Sequence, residues 1–325
     1  MSDTIVVLIN GEVLANGAGP KIIDQRQNAR ILAEGLKPIL VSDMKVAVMH
    51  GNKPQVGFVL FRSELASHIL HTVPLDVCGA DTQGATGYML SQAFMNVLHR
   101  QNSKRSVMCM ITQALVDSSS MDAETQMRAI GPWFDREKAE LYRQTRGWMI
   151  AEEPGRGYRR AVPTLPPVEI LEFEGIKCLV ESGNVVIAGG GGGVPVARNA
   201  NGELEGLEVV VETEQLACMM ALRLEAKTLL MVVERDDKFL LSGLSAEGSV
   251  HMSLEQLDDF IANRVPYINS KSVQGKLRAA SDFLHKGGKQ VVVTTMRKLP
   301  DAIANQNGLW FGSREPFMLT AYPQA

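Results

Sequence analysis

A short apolar strand that runs into five consecutive glycines constrains the fold of this chain more than any other feature. Val185, Val186 and Ile187 form a β-branched run that is typical of a buried strand, and Gly189–Gly193 follow before Pro195. Glycine reaches positive φ easily and lets the backbone approach a ligand, although each one costs about 0.5–1 kcal/mol relative to alanine. We therefore predict a loop whose backbone N–H groups bind an anion, with a flexible turn as the alternative.

Apolar runs alternate with helical patterns along most of the chain. We predict strands at Thr4–Ile9, Met44–Met49, Val107–Ile111, Thr228–Val233 and Val291–Thr295. We predict helices at Gln25–Ile39, Ser91–His99, Glu214–Leu224, Lys276–His285 and Leu299–Asn305, and a hairpin or loop at Arg198–Leu207. The helix through Ser91 is expected to begin near a turn at Thr82–Gly84. This alternation indicates βαβ units and a mainly parallel sheet.

Residues 118–165 interrupt that alternation. They are rich in charge, they contain Trp133, Tyr142, Trp148 and Tyr158, and prolines follow them closely. Prolines and glycines cluster where a hinge would lie. We therefore predict an inserted lid in this region.

Composition narrows the classes of function. A net charge of −3 with 21% charged residues gives no reason to expect nucleic acid or an anionic membrane as a partner. No apolar run reaches the roughly 18 residues of a membrane span, and the N-terminus has no basic targeting region. The four cysteines are isolated from one another, so neither a zinc site nor a disulfide framework is predicted. We expect a cytoplasmic protein with no metal site of its own.

Four motifs, spread along the chain, resemble those of the carbamate kinase family in the amino-acid kinase superfamily. They are His50–Gly57, Asp81–Tyr88, Gly155–Arg160 with Val162 and Pro163 behind it, and the glycine run. Aligned on these motifs, the resemblance extends from about residue 4 to about residue 312. The resemblance implies a three-layer α/β/α sandwich around a mainly parallel central sheet, formed by one domain over residues 1–325. It also implies a protruding lid at about residues 118–165 and a homodimer.

Carbamate kinases transfer a phosphoryl group between carbamoyl phosphate and ADP, which gives carbamate and ATP. Positioning and cationic stabilisation supply most of such catalysis. By resemblance, the catalytic residues are Lys276 and Arg128, although a solvent-exposed helix-end lysine is the alternative for Lys276. The resemblance places substrate or phosphate binding at Gly11, His50, Gly51, Asn52, Lys53, Gly190, Gly191, Gly192 and Gly193. It places nucleotide binding at Asp236, Thr213 and Ser272, with Mg²⁺ accompanying ADP or ATP and no metal ligand from the chain.

Several positions depart from the family pattern in the chemical core. Glu12 stands where the family continues a Gly-Gly-Asn turn, Thr213 replaces a lysine, and Lys53 replaces a glycine. Glu234 lies in the altered nucleotide segment. A carboxylate at position 12 would repel phosphate oxygens, and losing one charge-stabilising donor costs ~10²–10³ in rate. We predict that Glu12 and Lys53 neutralise each other in a salt bridge.

These departures leave three hypotheses open. In the first, the chain has impaired or altered kinase activity and acts as a binding protein for a small anionic ligand or as a subunit of a catabolic complex. In the second, it is an active carbamate kinase, which is favoured if Lys53 or Lys271 supplies the cation missing at Thr213. In the third, the substrate has changed, and Glu12 and Lys53 are new functional groups. The three arginines of Gly155–Arg160 either clamp an anion or join the lid to the body.

Overall fold

The computed structural model describes residues 2–15, 21–121, 126–153, 155–234, 249–265, 268 and 270–322. The strands are β1 Thr4–Ile9, β2 Lys45–His50, β3 Val107–Cys109, β4 Gln113–Val116, β5 Met127–Phe134, β6 Met149–Glu153, β7 Gly157–Leu165, β8 Pro167–Ile170, β9 Val185–Ile187, β10 Val194–Arg198, β11 Leu204–Gly206, β12 Val210–Val211, β13 Thr228–Val233, β14 Ser249–Met252, β15 Gln290–Thr295 and β16 Gly308–Gly312. The α-helices are α1 Gly11–Ala15, α2 Ile22–Leu40, α3 Lys53–Leu65, α4 Leu75–Arg100, α5 Arg136–Arg146, α6 Phe173–Glu181, α7 Thr213–Arg223, α8 Leu254–Asn263, α9 Lys271–His285 and α10 Leu299–Ile303.

A large sheet with the order β14-β16-β15-β13-β1-β2-β9-β3 organises the molecule. Its neighbours pair in parallel except at β15 and β16, which are antiparallel. Every residue of β1 is buried, as are those of β13 and β15. Continuous β-branched and apolar runs are what a parallel strand needs when helices cover both faces.

Alternate side chains of β1 enter two different cores. Ile5, Val7 and Ile9 pack in the core formed with α2, α4 and α10. Val6 and Leu8 pack in the core formed with α6, α7 and α9. Since side chains alternate across a strand, the sheet is buried between two helical layers. The predicted three-layer α/β/α architecture is confirmed.

The inserted region forms a small antiparallel sheet, which β12 of the body extends by pairing in parallel with the end of β7. Strand β7 pairs with both β5 and β6, and helix α5 packs beside them. Phe134, Tyr142 and Trp148 surround Phe61 of α3, with ring centroids 4.8–5.9 Å apart. This aromatic cluster attaches the inserted sheet to the body. That it opens and closes as a lid stays a prediction.

One predicted element boundary is wrong. The turn expected at Thr82–Gly84 is the middle of α4, which begins at Leu75 after Pro74. The polar residues there do not break the helix, because their side chains serve tertiary contacts. Thr82 Oγ1 accepts a hydrogen bond from Asn52, and the Gln83 amide pairs with the backbone of Thr112.

The remaining predicted elements lie where the structure has them, and the largest difference in their ends is at α9, which begins at Lys271 rather than at Lys276. The Arg198–Leu207 segment begins at the last residue of β10 and contains β11, which pairs with β10 in an antiparallel hairpin. None of the helices that the structure describes is long and apolar enough to cross a membrane.

Candidate functional site

A cavity lies at the carboxyl ends of β1, β2 and β13. Its lining includes Asn10 and Gly11, which follow β1, and Gly51 and Lys53, which follow β2. Val233, the last residue of β13, also lines it. Thr213 and Glu214 from α7 and Lys276 from α9 complete the polar lining. Ligands of open α/β sheets bind outside the carboxyl ends of the strands, so the position agrees with the architecture. We call this the central cavity.

Two glycines bring the loops after β1 and β2 into backbone contact. A Cβ at Gly11 would lie 2.7 Å from the carbonyl carbon of Gly51, and one at Gly51 would lie 2.7 Å from the Gly11 nitrogen. The Gly51 N–H also donates to the Ile9 carbonyl at 2.8 Å. No larger residue fits this approach. Both predicted residues therefore form the floor of the central cavity.

The glycine run packs against side chains of this chain. A Cβ at Gly190 would lie 2.6 Å from the His50 ring, and one at Gly191 would lie 2.3 Å from the Asn52 amide. Gly189, Gly191, Gly192 and Gly193 have φ between 63° and 93°. The Gly192 and Gly193 N–H groups donate within the run to carbonyls of Gly189 and Gly190. Packing and backbone conformation thus account for these glycines, and anion binding by the run stays a prediction.

His50 and Asn52 are buried beneath the glycine run. His50 is 1% exposed, and burial lowers the pKa of its imidazole to about 4 even though Nδ1 lies 3.2 Å from the Gly51 carbonyl oxygen. The Asn52 amide donates to Thr82 Oγ1 at 2.7 Å. Neither residue lines the central cavity. The structure therefore places both as supports for the loops that were predicted to bind substrate.

Three cations surround one buried carboxylate beside the central cavity. Lys276 is 2% exposed, Glu214 7% and Arg128 8%, so Lys276 is not a solvent-exposed helix-end lysine. Burial alone would raise the pKa of Glu214, but Lys53, Lys276 and Arg128 lower it to about 2. Lys276 donates to Ser272 Oγ at 2.6 Å, which places Ser272 as a support for this lysine.

Lys53 is the cation of this group that has no close partner. Glu214 raises the pKa of Lys53, but burial, Arg128 and Lys276 together outweigh that effect and lower it. Within the described ranges, the Lys53 ammonium makes no hydrogen bond and no ion pair within 4.0 Å. An ammonium at a partly buried site without a carboxylate in contact is a candidate anion ligand.

The predicted salt bridge between Glu12 and Lys53 is wrong. The Glu12 carboxylate instead pairs with Arg156 at 3.8 Å and Arg159 at 3.9 Å. Its carboxyl group also shares a hydrogen bond with that of Glu234, which requires a proton on one of the two. Both guanidinium groups lie over the Trp133 ring, 4.7 and 4.9 Å from its centroid. Glu12 follows Gly11 into α1 and faces the inserted sheet, where these arginines are already fixed. It does not line the central cavity.

The arginines of Gly155–Arg160 join the inserted sheet to the body. The contacts that reach the body are the pairing of Arg160 with Glu64 of α3 and that of Arg156 and Arg159 with Glu12 of α1. Within the inserted sheet, Arg159 donates to the Gly131 carbonyl at 3.0 Å and Arg156 pairs with Glu153 at 3.7 Å. These contacts favour the architectural alternative for the motif.

Glu214 is a site residue that the sequence analysis missed. It is the second residue of α7, directly after Thr213, and its neighbour Glu212 lies 3.7 Å from Arg128. The two acidic residues on either side of Thr213 were visible as a motif, but nothing local showed that one of them is buried against lysines. Asp236 lies outside the described residues. The described part of the chain contains no group of three or more metal-ligating side chains.

The comparisons with known proteins agree with this architecture. No family model matches the chain. It is 32% identical to the carbamate kinase of Pyrococcus horikoshii over 313 residues, covering 95% of this chain and 98% of that protein. It is also 32% identical to the carbamate kinase-like protein YahI of Escherichia coli over 317 residues, with the same coverage.

Solved structures extend the likeness to the fold. The structure superposes on the carbamate kinase of Giardia lamblia bound to citric acid with a TM-score of 0.84, at 27% identity over 95% of this chain and 98% of that one. The same Giardia enzyme bound to AMP-PNP gives a TM-score of 0.77 with equal coverage. On sequence identity over nearly its whole length, the chain belongs to the carbamate kinase family.

Proposed function

We propose that the central cavity binds the phosphoryl group of a carbamoyl phosphate-like compound and that the chain transfers it to or from a nucleotide. The observation that carries this proposal is the cluster of Lys53, Lys276 and Arg128 around Glu214. The carbamate kinase family membership supplies the reaction class. Positioned cations at a water-poor site are what phosphoryl transfer requires of a protein.

The charges of the cluster favour an anionic ligand. Lys53, Lys276 and Arg128 face Glu214 and Glu212, which leaves one positive charge in excess among these five side chains. An uncompensated buried charge is costly, so a bound anion would stabilise the site. Lys276 and Lys53 would contact the transferred group, and Glu214 would hold both lysines in place.

Two helix N-termini add to the positive electrostatic potential in the central cavity. Helix α3 begins at Lys53 and α7 at Thr213, and in neither helix does the side chain of the preceding residue, Asn52 or Glu212, make a capping hydrogen bond. Helix N-termini carry partial positive charge and bind phosphate well. Both first residues line the central cavity.

The position of Glu12 supports retained chemistry. Its carboxylate pairs with arginines of the inserted sheet, so it does not oppose phosphate in the central cavity. When bound, Mg²⁺ would neutralise nucleotide phosphates, and it is commonly held by those phosphates with one or two carboxylates. Glu234 and Asp24 line a second cavity at the end of β13, and they fit that requirement.

A binding role without turnover is the second candidate. The hydrogen bond between Glu12 and Glu234 favours it, because it occupies the end of β13 with carboxylates where nucleotide phosphates would approach. In this candidate the chain binds a small anion, alone or as a subunit of a catabolic complex. Under either candidate we propose one domain with a lid at about residues 118–165, a homodimer and a cytoplasmic location.

A coupled assay of ATP formation distinguishes the two candidates. The unaltered chain is given carbamoyl phosphate, ADP and Mg²⁺, and Lys276→Met is the matched loss-of-cation variant. Transfer predicts turnover that falls by ~10²–10³ in the variant. Binding alone predicts no turnover, together with a rise in the melting temperature of the unaltered chain when carbamoyl phosphate is added.

A further inference from the structure

We propose that Lys53 supplies the phosphoryl-binding cation that the family carries at the position of Thr213. This inference rests on the proposed function, since it assigns a residue for the same ligand. In this inference, a lysine at the start of α3 takes the role that the family's lysine has at the start of α7, and both positions border the same cavity. Such an exchange would preserve the charge of the site while changing which element delivers it.

Lys53 and Thr213 each begin a helix that borders the central cavity. Thr213 is buried at the first position of α7, and Lys53 occupies the first position of α3. Both line the central cavity together with Lys276. A side chain from either helix start therefore reaches the same volume.

Lys53 interacts electrostatically with the charged groups of the proposed phosphoryl site. Its pKa responds to Glu214, Arg128 and Lys276, which are the groups of the proposed phosphoryl site. Conversely, Lys53 is the strongest cationic influence on the Glu214 carboxylate. Lys53 thus belongs electrostatically to the cluster around Thr213, and its ammonium has no ion pair within 4.0 Å in the part of the chain described here.

The backbone around Lys53 is held in place by contacts of the residues on either side of it in the chain. Gly51 packs on Gly11, Asn52 bonds to Thr82, and the Gln55 amide donates to the Gly11 carbonyl at 3.3 Å. These contacts hold the start of α3 on both sides of Lys53. A cation on a rigid element can be aimed at the transferred group without reorganisation.

A lysine exchange tests the inference. The variants are Lys53→Met, the double variant Lys53→Gly with Thr213→Lys, and the control Lys271→Met. Lys271 matches Lys53 as the first residue of its helix, but it is exposed and does not line the cavity. Affinity for phosphonoacetamide, a stable carbamoyl phosphate analogue, is measured by calorimetry, with circular dichroism and melting as checks of folding.

We expect Lys53→Met to weaken binding about 10- to 100-fold, as for the loss of a charge-assisted hydrogen bond. The double variant should bind within about threefold of the unaltered chain, and Lys271→Met should be unchanged. If Lys53 had only a structural role, a lysine on another helix would not restore the binding of phosphonoacetamide. If Lys53→Met does not fold, Lys53→Gln takes its place.

Two results would overturn the inference. One is unweakened binding by Lys53→Met, and the other is a double variant that binds as poorly as the single one. Binding by the unaltered chain without turnover of carbamoyl phosphate would overturn only the proposed transfer reaction. Absence of binding by the unaltered chain would overturn both.

Discussion

Replacing Glu214 by glutamine should destabilise the protein in a pH-dependent way. The pKa of this carboxyl falls from an ordinary 4.5 to about 2, because Lys53, Lys276 and Arg128 outweigh the effect of burial. A fall of that size corresponds to about 3 kcal/mol of folding free energy at pH 7. Since Glu214 is 7% exposed, solvent screening reduces this little. Glu214→Gln removes the charge and leaves three cations without their shared carboxylate.

The sign of the pH dependence follows from the direction of the shift. A lowered folded-state pKa contributes stability above the unfolded value of 4.5, and that stability is lost as the pH falls toward about 2. The difference in the free energy of unfolding between the unaltered chain and Glu214→Gln should therefore shrink from about 3 kcal/mol at pH 7 to about 2 kcal/mol at pH 3.5. Urea unfolding at both pH values measures it.

Glu255→Gln is the matched control. Glu255 is also in the first turn of a helix but is exposed, so its replacement should cost less than about 0.5 kcal/mol at either pH. A Glu214→Gln difference below about 1 kcal/mol at pH 7, or one that does not shrink on acidification, would refute the assignment of Glu214 as the carboxylate that holds the cations.

Three further predictions test the supports of the site. Gly191→Ala, whose Cβ would meet the Asn52 amide, should cost about 1–3 kcal/mol more in urea unfolding than Gly202→Ala, where φ is also positive (82° against 69°) but the space is open; equal costs would contradict the packing role. The His50 imidazole, with a pKa of about 4, should remain neutral at pH 6 by NMR, so that stability falls as the pH drops from 6.5 toward 4; a titration near 6.5 would contradict its burial. Glu12→Gln should cost less than about 1 kcal/mol, since its ion pairs are partly exposed, and should leave phosphonoacetamide affinity unchanged; a tenfold tighter affinity would place Glu12 against the ligand.

Local patterns were enough to predict most of the sheet and helices. Thr4–Ile9 and Thr228–Val233 have the predicted bounds, because a buried parallel strand needs a continuous apolar run that is visible in the sequence. The start of α4 was mispredicted at Thr82–Gly84 for the opposite reason. Polar residues there resemble a turn locally, and only their distant partners, Asn52 and Thr112, explain them.

The site was predicted in outline. Gly11, Gly51, Lys53, Thr213 and Lys276 were named from the sequence, and all of them line one cavity. All except Lys276, which is the sixth residue of α9, lie next to a strand or helix end, which periodicity locates well. The sequence did not distinguish such residues from their supports, since His50 lies next to Gly51 in the chain but is buried beneath the glycine run.

The sequence alone therefore determined the α/β architecture, the family and the loops that carry the site, because apolar periodicity and glycine runs are local properties. Only the tertiary structure decided which charges meet. Glu12 pairs with arginines about 150 residues away rather than with Lys53, and Lys53 meets Glu214 across the central cavity. Electrostatic interaction depends on distance in space and on burial, and neither can be obtained from separation along the chain.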